Sequence, residues 1–513
     1  MNALDNKLRT LAPALPALLR GIEKESLRVR PDGTLALTPH ARGLGSALTH
    51  PHVTTDFSES QLELITGVHT TVRSLLAELS ELHKFVYREI GDEVMWCASM
   101  PCQLPDEPSI PLGRYGTSNV GRAKFVYRTG LSHRYGRRMQ LISGLHYNFS
   151  LPTESWPLAG IGDANQAYFA LIRNFRRHAW LLLYLFGASP AVCASFVEGR
   201  PHALAELAPG TLHLPYATSL RMGRLGYLSE AQDALAVSYN DLDSYAASLA
   251  DALTTPYPAY EKIGIRDGDD YRQLSTALLQ IENEFYSTIR PKRVILPGER
   301  PLHALRARGV EYVEVRAMDL DPFAPVGIAP TTARFLDVFL LHCLLAESPP
   351  DTPHEVQAIN RNKQRVASRG REPGLTLDRN GHEVELRSWA REIVTQCAPI
   401  ASALDDAHRE SGYAKALAHA AVGLAEPDSL PSARMLREIR EQYRGSYVDF
   451  VLAHSVRHRQ ALAAEPLSPA IEARMIDAAR ASLEEQRQIE ASDAVPFETF
   501  RERYLSPDSL VVR

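Results

Sequence analysis

The sequence predicts an α+β protein with a sheet-rich first two-thirds and a helical remainder. Two observations carry that expectation. Up to about residue 345, short segments that alternate polar and apolar residues at period two lie among segments of helical period. After residues 346–353, AESPPDTP, whose paired prolines and acidic residues read as a surface connection, charged helical patterns dominate. The 513 residues have room for two or three average domains and no repeat at a fixed period, and the expected division is a core at 1–345 with a helical extension at 346–513 packed on it as one structural unit. With 45% apolar and 23% charged residues, the composition argues against disordered, collagen-like and coiled-coil chains. A formal charge of −5 supplies no field that would gather nucleic acid or anionic lipid, so neither is an expected partner. Five scattered cysteines (Cys97, Cys102, Cys193, Cys343 and Cys397) resemble neither a disulfide framework nor a paired zinc site and fit a reducing cytoplasm.

In chain order, the apolar N-terminal stretch is interrupted by Pro13 and Pro16 and lacks a small-residue cleavage site, so it is not expected to be a signal peptide. Residues 22–29, IEKESLRV, read as a strand with Glu23 and Glu25 on one side. Residues 54–66, TTDFSESQLELIT, carry Asp56 and Glu63 around a turn at 58–60. Glycine-flanked YGTSNVGR, 115–122, is a loop in which backbone can approach a ligand, although a plain turn explains it more simply. Residues 143–151, SGLHYNFSL, place His146 and Asn148 opposite Tyr147 and Phe149. The uncharged run 179–197 has the length of a membrane span but is broken by Gly187, Ser189 and Pro190, which predicts a buried helix and a turn. Arg290-Pro-Lys-Arg293 reads as a rigid basic corner suited to phosphate or to a substrate carboxylate, with a solvated loop as the alternative. Residues 310–316, VEYVEVR, put Tyr312, Glu314 and Arg316 on one side. Arginine-rich 360–371 reads as surface, and 436–462 and 469–490 as packed helices.

Each strand alone reads equally well as half-exposed sheet. Together, glutamates at i,i+2 with an embedded histidine and arginine describe an acidic sheet face, and oxygen ligands with at most one imidazole suit Mg²⁺ or Mn²⁺ rather than zinc. Magnesium is usually shared between carboxylates and phosphate, which points to phosphoryl transfer. The phosphate loop, the dinucleotide fingerprint and the nucleophile elbow are all missing from the sequence.

The segments GIEKESLRV, GSALTHPHVTTDFSESQLELIT, the long block from YGTSNVGR to GLHYNFSLP, LPYATSLRMGRLGY, QIENEFYSTIRPKR and GVEYVEVRAMDLDPFAPVG follow one another from residue 21 to residue 327, and GREPGLTL follows at 370–377. In that order they resemble the proteobacterial glutamate–cysteine ligases. The resemblance implies a saddle-like, mainly antiparallel sheet with helices outside, related to the glutamine synthetase architecture. It implies ATP-dependent ligation of the glutamate γ-carboxylate to the cysteine amine through a γ-glutamyl phosphate, the first step of glutathione synthesis. It further implies Mg²⁺, with Mn²⁺ as a substitute, at Glu23, Glu25, Asp56, Glu63, His146 and Glu314, and Arg316 stabilising the transferring phosphoryl group. Arg128, Gln140, Asn148 and Arg221 would contact the amino-acid substrates, with Arg221 as carboxylate clamp. Phe57, Leu131, Tyr227 and Tyr286 would receive the cysteine side chain. Arg290 joins Arg316 as a candidate for the nucleotide. The segment after Pro152 contains no cysteine, so Cys102 has no evident partner there for a regulatory disulfide. Three readings stay open beside this one: a relative that joins glutamate to another amine, a metal-dependent hydrolase that needs no nucleotide, and a catalytically silent binding protein.

Overall fold

Period-two alternation becomes a seven-stranded, wholly antiparallel sheet, here described from a computed structural model covering residues 3–158, 163–226, 230–233, 235–296 and 298–510. Its strands are β1 (Leu19–Val29), β2 (Val53–Thr55), β3 (Gln61–Ile65), β4 (Val94–Met95), β5 (Leu145–Ser150), β6 (Ile289–Lys292) and β7 (Tyr312–Met318). They run in the order β6-β7-β5-β1-β3-β2, with β4 pairing the end of β1. This is the α+β architecture that the alternation and the resemblance lead one to expect.

Register decides which side chains share a face, because residues directly opposite on antiparallel strands point the same way. Ile22 faces Tyr147, Phe149 faces Val313, and Val315 faces both Tyr147 and Ile289. Those residues, with Leu62, Leu64 and Leu145, belong to one buried apolar cluster. Packed against it are α1 (Val72–Glu89), α3 (Ala164–Phe186) and α4 (Pro330–Leu345), contributing residues such as Leu79, Phe175 and Phe339. Helix α2 (Asn119–Tyr135) lies elsewhere, near the β2–β3 turn. Each large apolar side chain so buried contributes about 1.5–3 kcal/mol.

A buried ion pair crosses this apolar layer. Arg20 Nε of β1 lies 2.7 Å from Asp337 Oδ2 of α4, and neither side chain is exposed. Tyr147 of β5 donates to Asp337 Oδ1 at 2.8 Å, and Tyr413 donates to Asp337 Oδ2 at 3.2 Å. Arg20 also donates to the carbonyls of Leu18 and Thr70 and to the Tyr413 hydroxyl. A charge buried there is tolerated because every partner is satisfied.

Helices after residue 350 include α5 (Pro353–Arg369), α6 (Leu386–Gln396), α7 (Gly412–Ala425), α8 (Pro431–Gln442), α9 (Tyr447–Ala463) and α10 (Pro469–Ser492). Val366, Trp389 and Leu417, from three of them, join the same apolar cluster as the sheet. Helix α10 reaches back to the N-terminal half: Ser46 N donates to Ser482 Oγ, Thr49 Oγ1 to Ser482 O and Thr117 N to Glu490 Oε1. Just beyond it, Asn119 at the start of α2 donates to Asp493 and to the carbonyl of Val495.

Two sequence expectations need correction. The stretch 436–462 is two helices, because Arg444 and Gly445 adopt φ of 52° and 84° and the Gly445 N–H caps the Ile439 carbonyl, which ends α8. The basic corner at Arg290–Arg293 is mostly strand β6, where Pro291 is accommodated because β6 is a sheet edge. The uncharged run 179–197 is the end of α3, a glycine cap and the short strand Ala191–Cys193. A Cβ on Gly187 would stand 2.4 Å from the Leu183 carbonyl oxygen. Among the described residues no helix is long and apolar enough to cross a membrane. All five cysteines are buried with free thiols.

Asp337→Ala, which strands Arg20, should lower unfolding free energy by about 3–5 kcal/mol, against about 1 kcal/mol for Tyr413→Phe. Urea denaturation checks both, and equal losses would contradict the central place given to the ion pair.

Candidate active site

The opposite sheet face gathers the charges. Glu25 faces Glu63, Glu23 faces His146, Asn148 faces Glu314, and Glu314 faces Arg290. Arg316, two residues after Glu314, joins them. His146 Nδ1 lies 3.3 Å from Glu23 and 3.7 Å from Glu314, while Nε2 lies 3.5 Å from Glu25. Asn148 Nδ2 donates to Glu23 at 2.9 Å. Lys292 Nζ and Arg316 Nη1 stand 3.4 and 3.3 Å from Glu314 Oε1. Single ligand atoms of Glu23, Glu63 and His146 lie within 4.8 Å of one another.

Crowding sorts these groups electrostatically. Burial and Asp56 push Glu25 up to about 8, against the pull of Arg221 and Arg316. Burial, Asp56 and the other two glutamates push Glu63 well above the usual carboxylate range. Glu314 is driven the other way: burial opposes its charge, but Lys292, Arg316, His146 and Arg290 outweigh burial and hold it well below that range. Burial and Arg316 lower His146, which favours the neutral imidazole that can act as a ligand. Glu314 Oε2 is buried and has no hydrogen-bond partner among the described residues. An orphaned carboxylate oxygen beside carboxyls that resist ionisation is what a hard divalent cation would relieve, so the donor set fits Mg²⁺ or Mn²⁺.

The other expected residues sit around this face. Arg128 of α2 donates through Nε to the Asp56 carbonyl and stacks on the Tyr115 ring at 4.4 Å, holding the end of β2. Arg221 is buried against Gly144, where a Cβ would come 2.0 Å from its Nη2, and it donates to the Arg316 carbonyl at 2.9 Å. Arg290 donates to the carbonyls of Asn283 and Phe285. Tyr286 donates to Gln140 Oε1 at 3.1 Å and meets Tyr135 edge-on. Phe57 and Leu131 are buried in one apolar cluster. Tyr227 lies outside the described residues.

Two lysines escaped the sequence reading. Lys292 shares the face of Arg290 by the strand period, a signal hidden by reading RPKR as a corner. Lys124 is one helical turn before Arg128 on α2, and its ammonium lies 5.2 Å from the Tyr115 ring centroid. Among the described residues it has no carboxylate within 4 Å, although the field of Glu63 reaches it. The i,i+4 spacing to Arg128 was legible, but the closeness of α2 to β2 was not.

A family profile described as glutamate-cysteine ligase matches residues 4–366. The curated glutamate–cysteine ligase of Pseudomonas paraeruginosa is 50% identical over 501 residues, spanning 96% of this chain and 95% of its own length. This chain belongs to the glutamate–cysteine ligase family. That of Alcanivorax borkumensis is 47% identical, with 98% and 99% covered. The crystal structure of the Francisella tularensis glutamate–cysteine ligase in complex with AMP superposes with a TM-score of 0.91 at 37% identity, covering 96% of this chain and 98% of that one. A bifunctional glutathione synthetase from Pasteurella multocida shares the fold at 24% identity and a TM-score of 0.70, over 90% of this chain and 55% of its own. The ligase is thus an ATP-dependent enzyme joining glutamate to cysteine.

Lys124 illustrates the cost of such a face to the ligase. Burial and Arg128 depress its ammonium from 10.5 to about 8. A base with a depressed folded pKa destabilises the fold below about pH 8, and the penalty fades as pH rises toward 10.5. Lys124→Met should therefore raise the melting temperature at pH 7, lose that gain by about pH 10.5, and lower kcat/KM. A gain independent of pH would contradict this account.

Proposed function

We propose that the acidic face carries the whole reaction: transfer of the ATP γ-phosphoryl group to the glutamate γ-carboxylate, then displacement of phosphate from the acyl carbon by the cysteine amine. The observation that supports this reading most is the division of charge around Glu314, with carboxylates and a neutral imidazole on one side and Lys292, Arg316 and Arg290 on the other. The first group suits cations and the second suits phosphate. An adenine nucleotide, of the kind that accompanies the Francisella tularensis ligase as AMP, is assigned to this face.

Glu23, Glu25, Asp56, Glu63, His146 and Glu314 would hold Mg²⁺, or Mn²⁺ in its place. When bound, the metal supplies positive charge that offsets the phosphate oxygens and polarises the γ-carboxylate. The chain's own residues do the rest. Arg316, held beside Glu314 and His146, presents its guanidinium to the charge that develops on the transferring phosphoryl group. Lys292 neutralises charge at the same place. Asn148, Gln140, Arg128 and Arg221 orient the amino-acid groups, and Phe57, Leu131 and Tyr286 would receive the thiol side chain. The carboxylate oxygen attacks the γ-phosphorus and ADP leaves. The amine nitrogen then attacks the acyl carbon and inorganic phosphate leaves with the oxygen, so no covalent bond to the protein is needed. Excluding water protects the acyl phosphate meanwhile.

Division of labour between 1–345 as catalytic core and 346–513 as supporting helices belongs to the same proposal, as does a cytoplasmic setting where ATP and reduced cysteine are available.

The test is product mass with ATP, Mg²⁺, glutamate and cysteine, where a γ-linked dipeptide is expected. ADP release with a panel of amines checks the acceptor: no stimulation by cysteine, with stimulation by another amine, would overturn it. Chelation by EDTA should abolish turnover and Mg²⁺ restore it. Glu314→Gln should lower kcat by roughly 10²–10³-fold with an unchanged far-ultraviolet dichroism spectrum; near-normal turnover would contradict its role.

A further inference from the structure

Behind the sheet, where α3 ends, lies a cavity of about 260 Å³ that shares no residue with the carboxylate face. Its walls are the last turn of α3, Tyr216, the stretch 370–375, the start of α6 and the turn at Pro427–Ser429. All but α3 and Tyr216 lie beyond residue 366, where the family profile ends. We propose that this cavity is a second small-molecule site, and that its ligand is the zwitterion of a free α-amino acid with an apolar side chain.

Tyr184 supplies the first reason. It is 1% exposed, and its hydroxyl has no hydrogen-bond partner among the described residues. A buried donor left unpaired costs about 1–3 kcal/mol, so the hydroxyl is available to an acceptor that enters the cavity. Arg371 supplies the second. Nη2 donates to the carbonyls of Pro215 and Ala217 and Nε to that of Ala217, which fixes the guanidinium plane. No carboxylate lies within 4 Å of it among the described residues, and Nη1 has no partner there either. Tyr184, Arg371 and Arg387 line the same cavity, so donor and cation face one space. A carboxylate fits between them.

The opposite charge is also provided. Glu385 is committed to Ser388 N and Oγ at the start of α6 and to Arg387, and Glu372 is committed to Arg369. Asp428 is exposed, and its carboxylate has no ion pair or hydrogen bond among the described residues, which leaves it for an ammonium group. Leu375 and Leu386 give the lining its apolar part. A nucleotide or other polyanion would face three carboxylates with only two arginines to meet it. The volume also falls below the ~300–1,000 Å³ usual for drug-sized ligands, whereas an amino acid needs less.

Calorimetric titration of the full-length protein with L-alanine and L-leucine, neither of them a substrate of the proposed reaction, tests the site. Both should bind, while propionate and propylamine, each with half of the zwitterion, should bind at least about tenfold more weakly, equivalent to about 1.4 kcal/mol. Tyr184→Phe, which retains the ring, and Asp428→Asn should each weaken binding severalfold, and Arg371→Met should abolish it with the melting temperature used to verify folding. Glu314→Gln should bind as the wild type does. No heat with either amino acid would overturn the proposal. So would full affinity in Tyr184→Phe and Asp428→Asn together, loss of binding in Glu314→Gln, or equal binding of propionate.

Discussion

Carboxylates brought together on one face of a sheet cannot all be ionised unless positive charge stands among them, and most of the structure around the site answers that constraint. Glu314 stays ionised because Lys292, Arg316 and Arg290 come from its own and the neighbouring strand. Glu25 and Glu63, farther from those cations, hold their protons more tightly. The face is therefore graded, with its ionised end toward β6 and its protonated end toward β2. A grading of this kind separates the two signs of charge along the face without any change of backbone.

Such a face has to be stiff, since a small displacement of one strand would alter every charge separation on it. Stiffness comes from the layer behind. Arg20 and Tyr147 alternate with Glu23 and His146 on the same two strands, and both close on Asp337 of α4. The strands that carry the site on one side are thus tied on the other to a helix through a satisfied ion pair, where dispersion contacts alone would allow sliding.

Much of this was legible from residue order. Period two in IEKESLRV, SGLHYNFSL and VEYVEVR assigned Glu23, Glu25, His146, Glu314 and Arg316 to one side of each strand, because side-chain direction in a strand depends only on parity. The strand order was not legible, since nothing local says that β5 lies between β7 and β1. Pro291 concealed β6, as proline argues against a strand unless the strand is an edge. The φ values of Arg444 and Gly445 split one helical pattern into two helices, a local backbone choice that apolar spacing does not record. Lys124 required knowledge that α2 passes beside β2. The cavity behind α3 required four stretches of chain to converge beside Tyr184, and nothing in the pattern of any one of them anticipates it.

Helix α10 and the residues after it hold the loop before β2 and the first turn of α2, and those two segments position Asp56, Arg128 and Lys124. The stretch of chain synthesised late thus fastens parts made early. Loosening residues 482–495 would therefore free one rim of the acidic face while leaving the strands paired.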